Sequence, residues 1–208
     1  MNGISPIYLI FVTLVLKQQG STFMAHDFEQ LTQYARSFTN LTVENEALLK
    51  EVGPQIIPHL KTITENFYTQ LGLIPETQPF LEGRLESLKA MHTQWLEGLF
   101  TKNFDVSYTE HMYKVGSIHV QVNLPVEFMS GGMTLINGQL IPLVVNLFGE
   151  DADRCAKVLS AINAATGFSL LTMQQSYQEA SIAEELEKFL KISGMSRVLF
   201  SNLAKAYN

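Results

Sequence analysis

The stretch FDVSYTEHMYKVGSIHVQVNLPVEFMSGGM, residues Phe104–Met133, contains the pattern that decides the predicted fold. Ser107 and Glu110 have the S-x-x-E spacing of a capping box, which predicts that a helix starts there. Pro125 suits the first turn of a second helix because proline lacks a backbone N–H group. One face of the first helix carries residues spaced three or four positions apart: Tyr108, Met112, Val115, His119 and Val122. The stretch therefore predicts two consecutive helices, with one histidine on the apolar face of the first.

The chain after Met24 shows helical periodicity, with no strand-like alternation and no internal repeat. Thr42 is predicted to cap a short helix that ends at Gly53–Pro54. Two further helices are marked by apolar stripes: Ile56, Ile57, Leu60, Ile63, Phe67 and Leu71 in one, and Leu85, Leu88, His92, Trp95 and Leu99 in the next. The pattern predicts an all-α domain.

The C-terminal half is predicted to contain two long helices followed by short ones. Gly149 suits the end of the helix that follows Pro125. Asp151 is predicted to open a long helix that runs to about Gln178. A second capping-box pattern begins at Ser181, which predicts a new short helix there.

The helix from Pro125 to Phe148 is apolar over more than one narrow stripe. A helix that is apolar nearly all round must be buried on several sides, so part of its surface is predicted to meet another subunit. Gly131–Gly132 costs this helix about 2 kcal/mol of propensity relative to alanine. Such a pair indicates a close helix approach, a kink or a bound group.

Size, charge and cysteine content limit the classes of function. The 208 residues are enough for one domain with a sizeable core. The net charge is −6 and no run of Lys or Arg reaches three residues, so nucleic acid is not an expected partner. Cys155 is the single cysteine, which excludes an internal disulfide and fits a reducing compartment. We therefore expect a cytoplasmic protein.

The N-terminal segment SPIYLIFVTLVL, Ser5–Leu16, is strongly apolar but shorter than the roughly 20 residues that a membrane-spanning helix needs. A signal peptide is the alternative, but no basic residue precedes the segment and no small-x-small cleavage site follows it. Residues 1–23 are therefore predicted to be an extension outside the domain, and a start codon assigned too far upstream would explain it. The domain is predicted to span 24–180, with short helices at 181–208.

The histidines include two on apolar faces, His92 and His119, among five in the chain. The ordinary interpretation of each is a buried histidine that is hydrogen-bonded to a carbonyl. The sequence has no H-x-x-H, H-E-x-x-H or G-x-S-x-G motif, which argues against a zinc site or a hydrolase triad. One imidazole is nevertheless enough to anchor haem in an apolar pocket. Gly116, three residues before His119, is predicted to leave room for a flat ring.

A resemblance to a known family rests on two linked segments, WLEGLF at Trp95–Phe100 and the run Phe104–Met133. Together with FYTQL at Phe67–Leu71, they resemble the sensor globins, which are the globin domains of globin-coupled sensors and are related to protoglobins. The resemblance extends from Ala25 to Glu179. The matching positions are Trp95, Leu96, Leu99, Phe100, Tyr108, Val115, Gly116, His119, Leu124, Pro125, Phe128 and Met129.

The resemblance implies a globin fold around haem b and assigns roles to individual residues. His119 corresponds to the proximal ligand of the iron, and Tyr68 to the distal tyrosine whose hydroxyl donates to bound O2. Leu88 and Met91 correspond to distal pocket positions, and Val115, on the same helix as His119, is a further candidate for contact with the haem. Met91 is apolar where some members have a second polar donor. His92, next to it, is an alternative sixth ligand of the iron.

The implied function is a single-domain gas sensor rather than an enzyme. It would bind O2, with NO and CO as further candidate ligands, and would signal to a separate, unidentified partner because no output domain follows the globin domain. Family members pair through helices that correspond to residues 125–148 and 151–178, which implies a homodimer. The alternatives are a redox or NO-detoxifying haem protein, for which no flavin or nicotinamide motif is present, and a haem-free globin scaffold in stress signalling.

Overall fold

The computed structural model describes residues 27–206, so the predicted extension at residues 1–23 lies outside the described residues. Every regular element within this range is helical. The α-helices are α1 (Phe28–Thr39), α2 (Val43–Ile56), α3 (Leu60–Gly72), α4 (Gln78–Leu81), α5 (Leu85–Thr101), α6 (Val106–Gln121), α7 (Val126–Phe148), α8 (Ala152–Ser193) and α9 (Arg197–Ala206), with short 3₁₀ helices at Ile57–His59 and Pro75–Thr77. The all-α prediction is confirmed for this part of the chain.

The start of α2 is as predicted, whereas the start of α6 is not. Thr42 caps α2 in a reciprocal capping box with Asn45. For α6 the predicted box of Ser107 and Glu110 is wrong. The cap is Asp105, whose carboxylate accepts the N–H of Tyr108 at 3.0 Å. An aspartate two residues upstream of Ser107 satisfies an orphan N–H group at the helix start, so the helix begins two residues earlier than predicted.

The Gly53–Pro54 pair does not end α2, which continues to Ile56. The glycine lies against the neighbouring helix, because a Cβ at Gly53 would be 3.2 Å from the Cβ of Phe100 in α5. Val52 and Ile56 are fully buried on either side of the pair. Close packing against α5 thus offsets the hydrogen bond that proline removes from the helix.

The predicted break near Gln178 and Ser181 is also wrong, since α8 is one helix of 42 residues that continues to Ser193. Lys188 forms ion pairs with Glu184 at 2.9 Å and with Glu185 at 3.0 Å. Acidic residues one turn before a lysine stabilise a helix. The serine–glutamate spacing that resembles a cap therefore lies inside a continuous helix.

The main hydrophobic core belongs to the unit formed by residues 29–177. In this unit α5 packs on α2 and α3, and α3 packs on α7. Helices α7 and α8 are long and apolar enough to cross a membrane by length and composition alone. Both contribute to this core, and the largest fully buried side chains of the unit are Phe100, Phe104, Phe168, Leu49, Ile56, Leu60, Leu96, Leu99, Met112 and Leu140.

Residues 178–206 belong to a second compact unit. Leu186 and Leu190 of α8 and Phe200 of α9 form a small apolar cluster of their own. An ion pair between Arg197 and Glu187 joins the same two segments. Gly194, with a φ of 67°, forms the turn between them, since this left-handed conformation favours glycine.

Candidate functional site

His119 lies in the last turn of α6 and is half-buried. Its Nδ1 atom is fully buried and has no hydrogen-bond partner among the described residues. Burial lowers the pKa of His119, because a low-polarity environment disfavours the charged ring. The ordinary interpretation, a buried histidine bonded to a carbonyl through this nitrogen, therefore does not apply. A neutral imidazole keeps a lone pair that a metal ion can accept.

Tyr68 lies in α3 and is only 4% exposed. Its hydroxyl is hydrogen-bonded to Nδ1 of His92 in α5. Burial raises the pKa of the Tyr68 phenol above its usual range, so the hydroxyl stays protonated at neutral pH. The site therefore contains a neutral hydroxyl group that is able to donate a hydrogen bond.

His92 connects the tyrosine to the histidine of α6. Its Nδ1 atom is also 3.2 Å from the carbonyl oxygen of Leu88, one turn earlier in α5. Burial lowers the pKa of His92 to about 4; the Leu88 carbonyl opposes this shift and the nearby His119 adds to it. The two imidazoles are thus close enough to interact electrostatically, and both are neutral at pH 7. The structure therefore joins Tyr68 and His92 by a hydrogen bond, and His119 of a third helix acts electrostatically on His92.

The ring of His92 is held among aromatic side chains. It lies 5.5 Å from the Phe67 ring and 6.2 Å from the Trp95 ring, measured between centroids. Its contact with the Tyr68 ring is edge-on, with an interplanar angle of 65°. Aromatic neighbours on several sides restrict the rotation of the imidazole, so its contact with Tyr68 is built into the packing.

The three apolar candidates occupy different environments. Leu88 in α5 and Val115 in α6 are half-buried and pack against the core of their unit. Met91 is 57% exposed. Since successive helical residues are 100° apart, α5 turns His92 inward and Met91 outward. The pocket role of Met91 stays a prediction, and the inward position next to it is His92.

Sequence reasoning placed His92 on the apolar stripe of its helix but did not predict its contact with Tyr68. The signal was present, because His92 belongs to the same 3–4 spacing as Leu88 and Trp95. The partner could not be found in this way, since residues 68 and 92 lie on different helices.

Gly116 has a different role from the predicted one. A Cβ at Gly116 would be 2.3 Å from the carbonyl oxygen of Met173 in α8. The absent side chain therefore allows the backbones of α6 and α8 to approach, and the space is filled by α8 rather than left for a flat ring.

The glycine pair in α7 also differs from expectation: Gly131 has open space around it, and a Cβ at Gly132 would make an ordinary 3.5 Å contact with Phe67.

Two clefts in the described chain lie away from this cluster. One, of about 370 Å³, is lined by Glu29, Thr32, Gln33, Arg36, Glu46, Asn103, Phe104, Asp105 and Val106. The other, of about 440 Å³, is lined by Asn66, Thr69, Gln70, Thr134, Leu135, Gly138 and Gln139. Neither is lined by Tyr68, His92 or His119, so neither belongs to the candidate site.

The donor set of the site fits a cofactor that needs one protein ligand. Within residues 27–206 no group of three or more His, Cys, Asp or Glu side chains is arranged to hold a bare metal ion. His119, by contrast, offers a neutral ring with an unpartnered nitrogen. Haem fits this arrangement because the macrocycle itself supplies most of the ligands of its iron, so one protein side chain is enough to anchor it.

Comparisons with known proteins agree with the helical architecture. The protoglobin family model matches residues 28–182. The globin domain of a Geobacter sulfurreducens globin-coupled sensor is 26% identical, with a TM-score of 0.65 over 70% of this chain and 96% of that one. The globin domain of Escherichia coli DosC, in a form described as ferric, is 18% identical, with a TM-score of 0.58 over 70% of this chain and 99% of that one. No curated protein matched the sequence.

Proposed function

The chain belongs to the protoglobin family, and from this premise we propose that it binds haem and acts as a sensor of a diatomic gas. The observation that carries the proposal is the buried, unpartnered ring nitrogen of His119, close to the pair formed by His92 and Tyr68. A buried polar atom without a partner costs free energy, which a ligand at this position would recover. The similar DosC globin domain has forms described as ferric and ferrous, which supports an iron cofactor.

Each residue of the site has a distinct part in this proposal. His119 would hold the haem iron through a ring nitrogen, and the half-buried Leu88 and Val115 would contact the macrocycle. When bound, haem supplies an iron that takes up O2, NO or CO reversibly. Tyr68 would donate a hydrogen bond from its hydroxyl group to the gas, because its phenol stays protonated. A donor in a dry site favours O2 over CO, since bound O2 carries more negative charge.

A homodimer formed through residues 125–148 and 151–178 is part of the proposal. Ile141 and Val145 of α7 are 50% and 49% exposed. They lie four residues apart and therefore form one apolar strip on the helix surface. A second copy of the chain would cover this strip. The signal would pass to a separate protein in the cytoplasm, and the chain would catalyse no reaction of its own.

The test is the visible absorption spectrum of the full chain after addition of haem b. We expect a Soret band from a stable complex with one haem per chain. The ferrous form should then give a distinct, reversible spectral change with O2 and with CO. A chain that takes up no haem would be a haem-free globin, and the proposed function would be wrong. Rapid irreversible oxidation by O2 would instead favour a redox role.

A further inference from the structure

The Nδ1 atom of His92 has two hydrogen-bond partners, and only one of them has a proton to give. The carbonyl oxygen of Leu88, at 3.2 Å, can only accept. The hydroxyl oxygen of Tyr68 can either accept or donate. The position of the proton on the imidazole therefore decides what the tyrosine does.

A neutral imidazole carries a proton on one nitrogen only. If Nδ1 of His92 held the lone pair, it would face the carbonyl oxygen of Leu88 without a proton between them. The only hydroxyl proton of Tyr68 would then be used in a hydrogen bond to the histidine. If Nδ1 carries the proton, it donates to both oxygens and neither contact is repulsive. The geometry favours the second arrangement.

The proton of the Tyr68 hydroxyl is then left without an acceptor in the described chain. The other hydroxyls nearby are satisfied along their own helices, since Thr64 donates to the Leu60 carbonyl and Thr93 to the Lys89 carbonyl. Tyr68 has no such acceptor, and its only hydrogen bond in the described chain is the one with His92. A buried donor that is free in the protein is available to a ligand.

We propose that His92 is a positioning residue for Tyr68: protonated at Nδ1, it donates to the hydroxyl oxygen and so directs the Tyr68 proton to the gas. This inference rests on the proposed function only in naming the gas as acceptor. The tautomer of His92 and its bond with Tyr68 belong to the chain itself. A histidine in this role raises gas affinity without touching the iron.

The tautomer is measured by long-range ¹H–¹⁵N correlation on the ¹⁵N-histidine-labelled full chain at pH 7 without added haem. The signals of His92 are identified by their loss in His92→Asn. We expect a neutral ring protonated at Nδ1. The same form should persist in Tyr68→Phe, because the Leu88 carbonyl still requires a donor. A ring protonated at Nε2, or at both nitrogens, would overturn the proposal.

The functional step is measured by the rate of O2 release from the haem-loaded chain in a double-mutant cycle. His92→Phe should speed release roughly two- to tenfold, the usual worth of one hydrogen bond. In the Tyr68→Phe background the same change should have no effect, because His92 acts through the tyrosine hydroxyl. Equal effects in both backgrounds would show that His92 acts on the gas directly and would overturn the proposal.

Two variants complete the test. His92→Asn places an amide N–H₂ where Nδ1 was and should restore a slow release rate. Gln94→Ala changes an exposed residue of the same helix and should leave the rate unchanged. If the chain takes up no haem, the proposed function fails, and the tautomer measurement alone then decides whether His92 positions Tyr68.

Discussion

Gly116 of α6 lies against the backbone of Met173 in α8, so that a Cβ on the glycine would be 2.3 Å from the methionine carbonyl oxygen. The nearest atoms on the α8 side all belong to the backbone of Met173, so the contact cannot be relieved by turning a side chain. The two helices must separate to admit even one methyl group. This close approach fixes the position of α6, the helix that carries His119.

Gly116→Ala is therefore expected to destabilise the protein by about 1–3 kcal/mol, as overpacking does, despite the better helix propensity of alanine. The matched control is Gly131→Ala, also inside a helix but with no atom within 4 Å. It should stabilise the protein by about 0.5–1 kcal/mol. Urea unfolding followed by circular dichroism measures both. Two changes of the same sign and size would contradict the close approach.

His119→Ala is expected to abolish stable haem binding, because the axial ligand is lost. The control is His111→Ala, which removes an exposed histidine from the same helix and should leave the Soret band unchanged. Haem titration of both variants gives the comparison. Retention of haem with unaltered ligation in His119→Ala would remove His119 from the ligand role.

Tyr68→Phe is expected to speed O2 release by about 10- to 100-fold, since it removes a hydrogen bond to a partly charged ligand worth roughly 1.5–3 kcal/mol. Release of CO should change less, because bound CO carries little negative charge. Tyr34→Phe, at a position that is 53% exposed, is the control. The measurement is stopped-flow displacement of O2 by CO. An unchanged O2 rate would exclude Tyr68 as the distal donor.

The haem-free chain is expected to lose stability as the pH falls from about 6.5 towards 4. The pKa of His92 is about 4 in the folded state against 6.5 in the unfolded one, mainly because of burial. Between these two pH values the unfolded chain binds more protons than the folded chain does, so the free energy of unfolding rises with pH. His119, whose pKa is also lowered by burial, adds to this dependence.

Replacing His92 by Asn should reduce the slope of unfolding free energy against pH by at most about 1.4 kcal/mol per pH unit, the contribution of one proton. Urea unfolding at pH 4.5, 5.5 and 6.5 measures this slope. His111→Asn, at the surface, should keep the parent slope. If His92→Asn kept the slope of the parent chain, the pKa of His92 would be the same in the folded and unfolded states.

Ile141→Glu together with Val145→Glu is expected to convert a homodimer into a monomer, because a second copy would have to bury two carboxylates. Val43→Glu is the control at a 71% exposed position in the first turn of α2. An acidic residue is tolerated at that helix end. Sedimentation velocity distinguishes the two states. A parent chain that is already monomeric would refute the proposed dimer.

Much of the fold could be predicted from local pattern alone. Thr42 is predictable as a helix cap because threonine is a preferred cap residue, and the partner that the structure gives it, Asn45, is only three residues away. The family was found because the spacing from Trp95 through His119 to Pro125 is continuous. Such signals can be recognised from one sequence because the residues that form them are close together in the chain.

The errors arose where a local signal competed with packing. The Gly53–Pro54 pair predicts a helix end, but contact with Phe100 keeps α2 intact. The serine–glutamate spacing at Ser181 predicts a new helix, but the ion pairs of Lys188 lie within a continuous one. Glycine or proline inside a helix costs about 1–3 kcal/mol, and tertiary contacts can offset a free energy of this size.

The sequence by itself determined that this protein is helical, that it belongs to a globin family and that His119 is its candidate ligand. Only the tertiary structure decided that His92, rather than Met91, faces Tyr68, and that Gly116 makes room for α8. The physical reason is that helical periodicity sets which side of a helix is apolar. The residue met on that side depends on how helices distant in sequence pack.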